Sequence, residues 1–447
     1  MTVRGMIKPL SVAALLLPSG CVWAQTDSLV KANQIDVGLN FLTHGEVCAG
    51  GLPKSATEES SEDRSSFLLG RFRLSIDYNR QGLQAYAVIQ NKSVWGAKGN
   101  QTLGLYEGWV KAVAKSGLFA QIGRVALSYD DERIIGPNDF AMAAKSHDVL
   151  RVGYEGHGHK LHGAVAYNQN ATEVYSSTYY VDGSQPYKNM QLLWYHYDVP
   201  QFPLGASLLF MNTGLQAGIP DRQDNPPKTV YQRTYGCYVN YHPDYLSLEA
   251  SYYRQAGRTV NAGMQAGEIQ AWMASVKATV KPSASYGFLM GYEYLSGDDY
   301  VPVTYGGFGM VRHEIDRGFS PLYGSHTKFY GMMDYFYESA YTNGFTPGLQ
   351  NAYVGVFGYP LSRLNCRAVY QYLATATHLH NLDRTLGHAI DLIVSYRHSK
   401  DISLMLGYTQ MHGTETMDCL KQGVGSRRAR WGWFSLVVSP SLFTAKW

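Results

Sequence analysis

The chain has 447 residues, a formal charge of +3 and an apolar content of 45%. Arg4 and Lys8 in the first 24 residues account for two of those charges, which leaves +1 for the rest, far from the strongly basic footprint of a nucleic-acid binder. No apolar run beyond that segment approaches the roughly 20 residues of a helical membrane span, so helices are excluded as a way across a bilayer.

Residues 1–24 read as a signal peptide: Arg4 and Lys8, an apolar run from Val12 to Leu17, then Val22-Trp23-Ala24 as the cleavage site. Cys21 after Pro18-Ser19-Gly20 offers lipidation as the alternative, against which proline occupies the place of a branched aliphatic. The mature segment, 25–447, opens with a strand expected near 35–44. About ten residues precede that strand, too few for a plug domain, which argues against an energised plugged transporter.

From Arg71 to Tyr78 the polar side chains Arg71, Arg73, Ser75 and Asp77 share one parity, and Phe72, Leu74, Ile76 and Tyr78 the other. Successive strand side chains point to opposite faces, so the segment has one wet face and one greasy face. The same alternation returns at Ile390, Leu392, Val394 and Tyr396 against Asp391, Ser395 and Arg397, and again from Ile402 to Thr409. A soluble sandwich would alternate too, with its charges outside. With a secretory leader in front, and 35 tyrosines and 46 glycines for aromatic girdles and curved strands, the pattern predicts an all-β, transmembrane, antiparallel up-and-down β-barrel, lipid outside and water inside.

Turn signals rich in Gly, Pro, Asn or Ser mark short connections at 79–82, 116–117, 156–160, 200–203, 242–245, 281–283, 360–363 and 398–401. Longer polar connections alternate with them at 48–64, 96–102, 130–147, 171–188, 216–228, 257–268, 298–348, 377–386 and 413–428. Together they connect about 18 strands, with short turns and both termini periplasmic and long loops extracellular. The last strand is expected near 430–438, followed by Phe443 and Trp447, with Pro440 between.

Several blocks resemble the alginate-export-like family of bacterial outer-membrane porins. They are 71–78; Tyr106-Glu107-Gly108-Trp109; 122–148 with Ile122-Gly123-Arg124, Tyr129-Asp130-Asp131-Glu132-Arg133 and Ser146-His147-Asp148; and Ala166-Tyr167-Asn168-Gln169-Asn170. The likeness continues at 291–299 and at 321–335 around Leu322-Tyr323-Gly324-Ser325-His326. The resemblance implies a monomeric barrel of about 18 strands with an arginine-lined lumen. The founding type passes an anionic uronate polymer outward, but membership implies a pore and not that substrate. The short periplasmic turns depart from the founding type, whose long periplasmic gate is not carried over.

Parity places Arg71, Arg73, Asp77, Glu107, Lys111, Arg151, Glu155, Lys277, Glu293, Arg367, Asp391 and Arg397 on the lumen side, where charge escapes the ~2–4 kcal/mol that Arg or Lys costs at the bilayer midplane. Arg124 is counted with them, although the alternation slips around it and a bulge could re-aim it. These charges either pair with each other in a water column or leave arginines to form a ladder of bidentate donors for carboxylates. On the second reading, neutralising Arg71, Arg73 and Arg151 together shifts selectivity toward cations. The loop 130–147 holds Asp130, Asp131, Glu132 and Arg133 beside Ile134-Ile135 and Phe140-Ala141-Met142. Those apolar groups suggest that it folds into the barrel mouth as a constriction, or else packs on the inner rim. The loop 298–348 is too long to be bare and is expected to help close the outer mouth.

His157, His159 and His162 cluster at a turn and His378 and His380 at a rim, without the cysteine or carboxylate framework of a metal site, so neither metal nor cofactor is expected. No Gly-x-Ser-x-Gly elbow supports a hydrolase. The function expected is passive passage of ions and small hydrophilic solutes, anionic and carbohydrate- or uronate-like. The partners expected are outer-membrane lipid and lipopolysaccharide. A barrel enzyme acting on lipid or peptide, and a closed structural or adhesion barrel, are the alternatives. Cys237 and Cys366 fall on lipid-facing parity, whereas Cys48 and Cys419 belong to the first and last outer loops, which closure of the barrel makes neighbours; either a disulfide joins them or both are free thiols.

Overall fold

The computed structural model describes residues 33–50, 64–99, 101–142, 144–170, 186–219, 223–260, 264–298, 315–333, 346–379, 381–421 and 428–447. The proposed signal peptide, Cys21 and His380 lie outside them. In chain order the elements are β1 (Gln34–Ala49), β2 (Arg64–Arg80), β3 (Leu83–Val94), β4 (Gln101–Val113), β5 (Leu118–Val125), β6 (His147–Gly156), β7 (His159–Tyr167), β8 (Asn189–Asp198), β9 (Leu204–Ala217) and β10 (Lys228–Tyr241). There follow β11 (Leu246–Val260), β12 (Ala266–Val280), β13 (Tyr286–Leu295), β14 (Ile315–Asp316), β15 (Leu349–Leu361), β16 (Leu364–Ala374), β17 (Thr385–Arg397), β18 (Ile402–Gly413), α1 (Glu415–Lys421), β19 (Arg428–Val438) and β20 (Ser441–Lys446).

Each barrel strand pairs antiparallel with its neighbours in sequence, and β19 returns to β1 with Phe41 opposite Val438 and Ala49 opposite Arg430. Eighteen strands close in this way. The other two are accessories: β14 lies parallel on β12 inside a long loop, and β20 prolongs β19 past Pro440 to pair with the first half of β1. Pro440 therefore breaks the last strand without ending the wall. Trp447 and Asn33 exchange backbone hydrogen bonds at 2.8 and 3.0 Å, which seals that end of the seam.

The alternation has a direct physical outcome. Ile76, Val110, Leu150, Met290, Leu392 and Leu406 are exposed on the outer face, while their strand neighbours of opposite parity point inward. A closed ladder leaves no wall backbone group for lipid to satisfy, which is the condition for strands to cross a bilayer. Among the described residues no helix is long and apolar enough to do so.

The cysteine staple does not form. Cys48, Cys237, Cys366 and Cys419 are free thiols. The strand β1 runs to Ala49, beyond the expected end near His44, so Cys48 belongs to the wall and not to a loop. It points inward and is packed with Trp431, Trp433, Met405 and Ile393. Cys419 sits in α1, outside the wall, where burial and then Glu415 and Asp418 push its thiol up. Alkylation of the unreduced, denatured protein should recover both as separate labelled peptides; a peptide linked through Cys48 and Cys419 would contradict this arrangement.

Candidate functional site: two loops folded against the inner wall

The strand β5 is eight residues long, against 15 for β11, because the chain leaves the wall early. Gly123 prepares the departure: its φ is +130°, and a Cβ there would lie 2.1 Å from the Gly108 carbonyl oxygen. Residues 126–146 then turn inward, burying Leu127, Tyr129, Ile134 and Ile135. Asp130 and Asn138 take left-handed φ values of 54° and 47°, which short polar side chains tolerate.

Each charged side chain of this loop finds a specific partner. Asp130 accepts from Trp194 Nε1 at 2.9 Å and from the Tyr253 hydroxyl at 3.2 Å. Burial pushes its carboxyl up, against the hydrogen bonds from Ser207, Trp194 and Tyr253 that favour the charged form. Asp131 accepts from Arg133 Nε at 3.1 Å. Glu132 accepts from Ser128 at 2.9 Å, Ser325 at 2.7 Å and Lys328 at 2.6 Å. Arg133, 4% exposed, donates to Glu293 on β13 at 2.9 Å and to the Tyr330 hydroxyl at 3.2 Å, with its guanidinium 4.0 Å above the Phe329 ring.

Ser325, Lys328, Phe329 and Tyr330 belong to a second inward segment, 315–333, from the long loop after β13. The two segments meet as a short strand pair: Ile135 bridges to Tyr323, Gly136 N donates to Tyr323 O at 3.0 Å, and Tyr323 N to Ile134 O at 3.0 Å. Asn138 ties its backbone N–H to Ser325 Oγ at 2.9 Å. The wall holds the second segment through Gln255 on β11, which donates to Ser320 O at 2.7 Å and accepts from Ser320 N at 3.0 Å. Tyr187, Phe319, Tyr323 and Tyr330 then form one apolar cluster with inward wall residues such as Met190, Leu209, Tyr253 and Met273.

The wall charges separate into three groups. Arg71 and Arg73 anchor the first loop: Arg71 Nη1 donates to Asp139 O at 2.9 Å, and Arg73 Nη1 reaches Asp139 Oδ1 at 2.6 Å. At 1% and 7% exposure they hold protein and present no ladder. A second group is paired along the wall. Glu293 also accepts from Asn351 at 2.9 Å, Lys277 meets Glu249 at 3.3 Å, and Arg367 lies beside Asp391, which accepts from Thr409 at 2.6 Å and from Gln371. Glu107 accepts from Ala126 N at 3.1 Å and Trp109 at 3.2 Å, and half-buried Asp77 faces Asp36 across the β1–β2 ladder. Arg397 lies exposed at the turn end of β17.

The third group is Lys111 and Arg151. Glu155 meets His162 at 2.9 Å and Lys111 only at 4.0 Å. Arg151 donates to Gln121 at 2.9 Å and to Tyr129 at 3.4 Å, and among the described residues no carboxylate pairs with it. Both cations lean over Phe119, at 4.3 and 5.5 Å from its ring centre. Arg124 is a correction. It shares the outer parity of Leu118 and Ile122 on β5 and forms a bidentate pair with Asp148 at 2.8 and 2.7 Å, so it does not line the interior.

Sequence reasoning passed over Asp139, the loop's anchor, and two hydrogen-bonded chains on the inner wall. His196 joins Ser207 at 2.7 Å to Asp198 at 2.8 Å, and His44 joins Ser435 at 2.6 Å to Glu46 at 3.0 Å. In a hydrolytic triad the serine meets Nε2 and the carboxylate Nδ1. Here both rings are reversed and both serines are at most 2% exposed, so the chains fit a structural role. Of the histidines at the turn, His157 is exposed, His159 bonds Tyr195 at 2.8 Å and His162 turns inward; no cluster of three metal-ligating side chains occurs among the described residues.

The architecture is a closed 18-strand antiparallel barrel, with the segments 126–146 and 315–333 packed against its inner wall. Among solved structures it is similar to OccK2 (OpdF) of Pseudomonas aeruginosa, with a TM-score of 0.59, 11% identity, and coverage of 92% of this chain and 98% of that one. It is likewise similar to a BenF-like porin from Pseudomonas fluorescens Pf-5 (TM-score 0.59, 12% identity, 91% and 99% covered) and to OpdL of P. aeruginosa (0.57, 13%, 92% and 99%). No protein-family model and no curated protein matches the sequence. At these identities the likeness is one of fold.

Proposed function

We propose that this chain is a monomeric porin of a Gram-negative outer membrane, passing ions and small hydrophilic solutes passively, with a preference for anions. The observation that carries this reading is the pair Lys111 and Arg151, neighbouring inward cations of which Arg151 has no carboxylate partner among the described residues and Lys111 meets Glu155 only at 4.0 Å. A fixed cation in a confined passage raises the local concentration of anions, and low-dielectric walls strengthen the effect. Small carboxylated or uronate-like carbohydrates suit guanidinium and ammonium donors beside an aromatic ring. The resemblance to alginate-export-like barrels rests on the sequence blocks alone, and it implies a pore without naming its solute. The loop 126–146, packed with 315–333, is the constriction on this reading, and lipid and lipopolysaccharide surround the wall.

The apolar cluster around Tyr187, Tyr323 and Tyr330 favours one competing reading, a barrel closed by its own loops. Planar-bilayer recording separates the two. Stepwise, ohmic conductance without any energy source is expected; a correctly folded but silent barrel would overturn the porin reading.

A further inference from the structure

The lipid face carries a basic cluster that the channel reading does not use. On β11, Arg254 and Arg258 flank Ala256 on the outward parity, and the β10 residue opposite Ala256 is Arg233. The β12 residue opposite it is Gln270. All three arginines are exposed, and among the described residues none has a carboxylate within ion-pair distance. The acid in the patch, Glu268, lies across from Arg258 and accepts from Gln270 Nε2 at 2.7 Å. The small side chain of Ala256 leaves a shallow floor ringed by three guanidinium groups.

The height of the cluster identifies its ligand. Tyr235 and Trp272 stand directly opposite Arg254, and Tyr252 precedes it on the same face; these rings are 39%, 38% and 45% exposed. Such aromatics mark the boundary between hydrocarbon and headgroups. Arg233 and Arg254 each stand about nine residues above the turn 242–245, and at ~3.4 Å per residue with ~40° tilt that is a climb of roughly 20 Å, close to the ~25 Å apolar band. The long-loop side is the outer leaflet on the proposed function, so this inference rests on that placement.

We propose that Arg233, Arg254 and Arg258 bind the phosphate groups of a phosphorylated glycolipid of the outer leaflet, the acyl chains lying along Tyr235 and Tyr252. Guanidinium groups bind phosphate oxygens bidentately, and three around one small residue can satisfy a phosphate that surface water would otherwise solvate.

The full chain in nanodiscs, titrated with bisphosphorylated lipid A and with enzymatically dephosphorylated lipid A, tests the site by native mass spectrometry. The wild type should retain the bisphosphorylated form at least about tenfold better, and R233Q/R254Q/R258Q should lose that preference. A256E, which places a carboxylate on the floor, should lose it with all three arginines present. Heat-modifiable migration on gels checks folding of each variant, and bilayer conductance, expected to persist in both, reports the channel separately. Equal retention of the two lipids by the wild type, or an undiminished preference in both folded variants, would overturn the proposal. So would competition by inorganic phosphate as effective as that by lipid A.

Discussion

Replacing Arg133 by alanine should release the two inward segments while leaving the barrel closed. The side chain is 4% exposed and bonds Glu293, Asp131 and Tyr330 at once, so its removal strands Glu293, itself 2% exposed, with Asn351 as its remaining hydrogen-bond partner in this cluster. Breaking a buried pair in this way costs about 3–5 kcal/mol, because a charge remains without its partner. The wall ladder does not depend on that contact, so the loss falls on loop docking. R133A should retain heat-modifiable migration, become sensitive to protease within 126–146, and conduct more strongly and with more noise than the wild type. Replacing both partners by apolar residues, R133M with E293L, should recover much of the protease resistance, since a matched apolar pair costs less than an orphaned charge. Quiet, wild-type conductance and full protease resistance in R133A would show that the loops are held by other contacts.

The strands were legible because the bilayer and the lumen impose opposite demands on successive residues. Asp391 between Ile390 and Leu392 can satisfy both only as an extended segment, and the structure places the acid inside and both aliphatics outside. Turns were legible for an equally local reason, as at 242–245 and 398–401, where short polar clusters interrupt the alternation. Arg124 was misplaced because its charge argued for the lumen, although it shares the parity of Leu118 and Ile122, which are exposed on the outer face, and pairs there with Asp148. Cys48 was misplaced for a different reason. The first strand was expected to end near His44, yet Glu46 beyond it is an inward strand position that accepts from Trp431 on β19, and Cys48 follows on the same parity. The apolar Ile134-Ile135 and Phe140 suggested an inward loop, but the partners that dock it could not be read, since Arg133 and Glu293 are 160 residues apart and no spacing rule joins them. The blocks that carried the family resemblance, Tyr129 to Arg133, Glu293 and Leu322 to His326, are nevertheless among the residues that meet there.

Neutralising Lys111 and Arg151 together should lower the preference for anions, and the effect should depend on salt in a defined way. A unit charge about 8 Å from a passing monovalent ion in water contributes about 0.5 kcal/mol, a factor of roughly two in local concentration, so two cations amount to about fivefold. Screening is weak at 0.01 M, where the Debye length is about 30 Å, and nearly complete at 1 M, where it is about 3 Å. Because the same potential enriches anions and depletes cations by that factor of about five, K111Q/R151Q should show a fall of about 25-fold in the anion-to-cation permeability ratio at low salt, read as a shift of reversal potential, and almost none at 1 M. R124Q serves as the control, because Arg124 faces outward and pairs with Asp148, so its loss should leave the ratio unchanged. R71Q/R73Q should differ from both. Those arginines are buried against Asp139, so their loss should loosen the loop and raise conductance more than it alters selectivity. An unchanged reversal potential in K111Q/R151Q at low salt would place the selective point of the channel elsewhere on the wall.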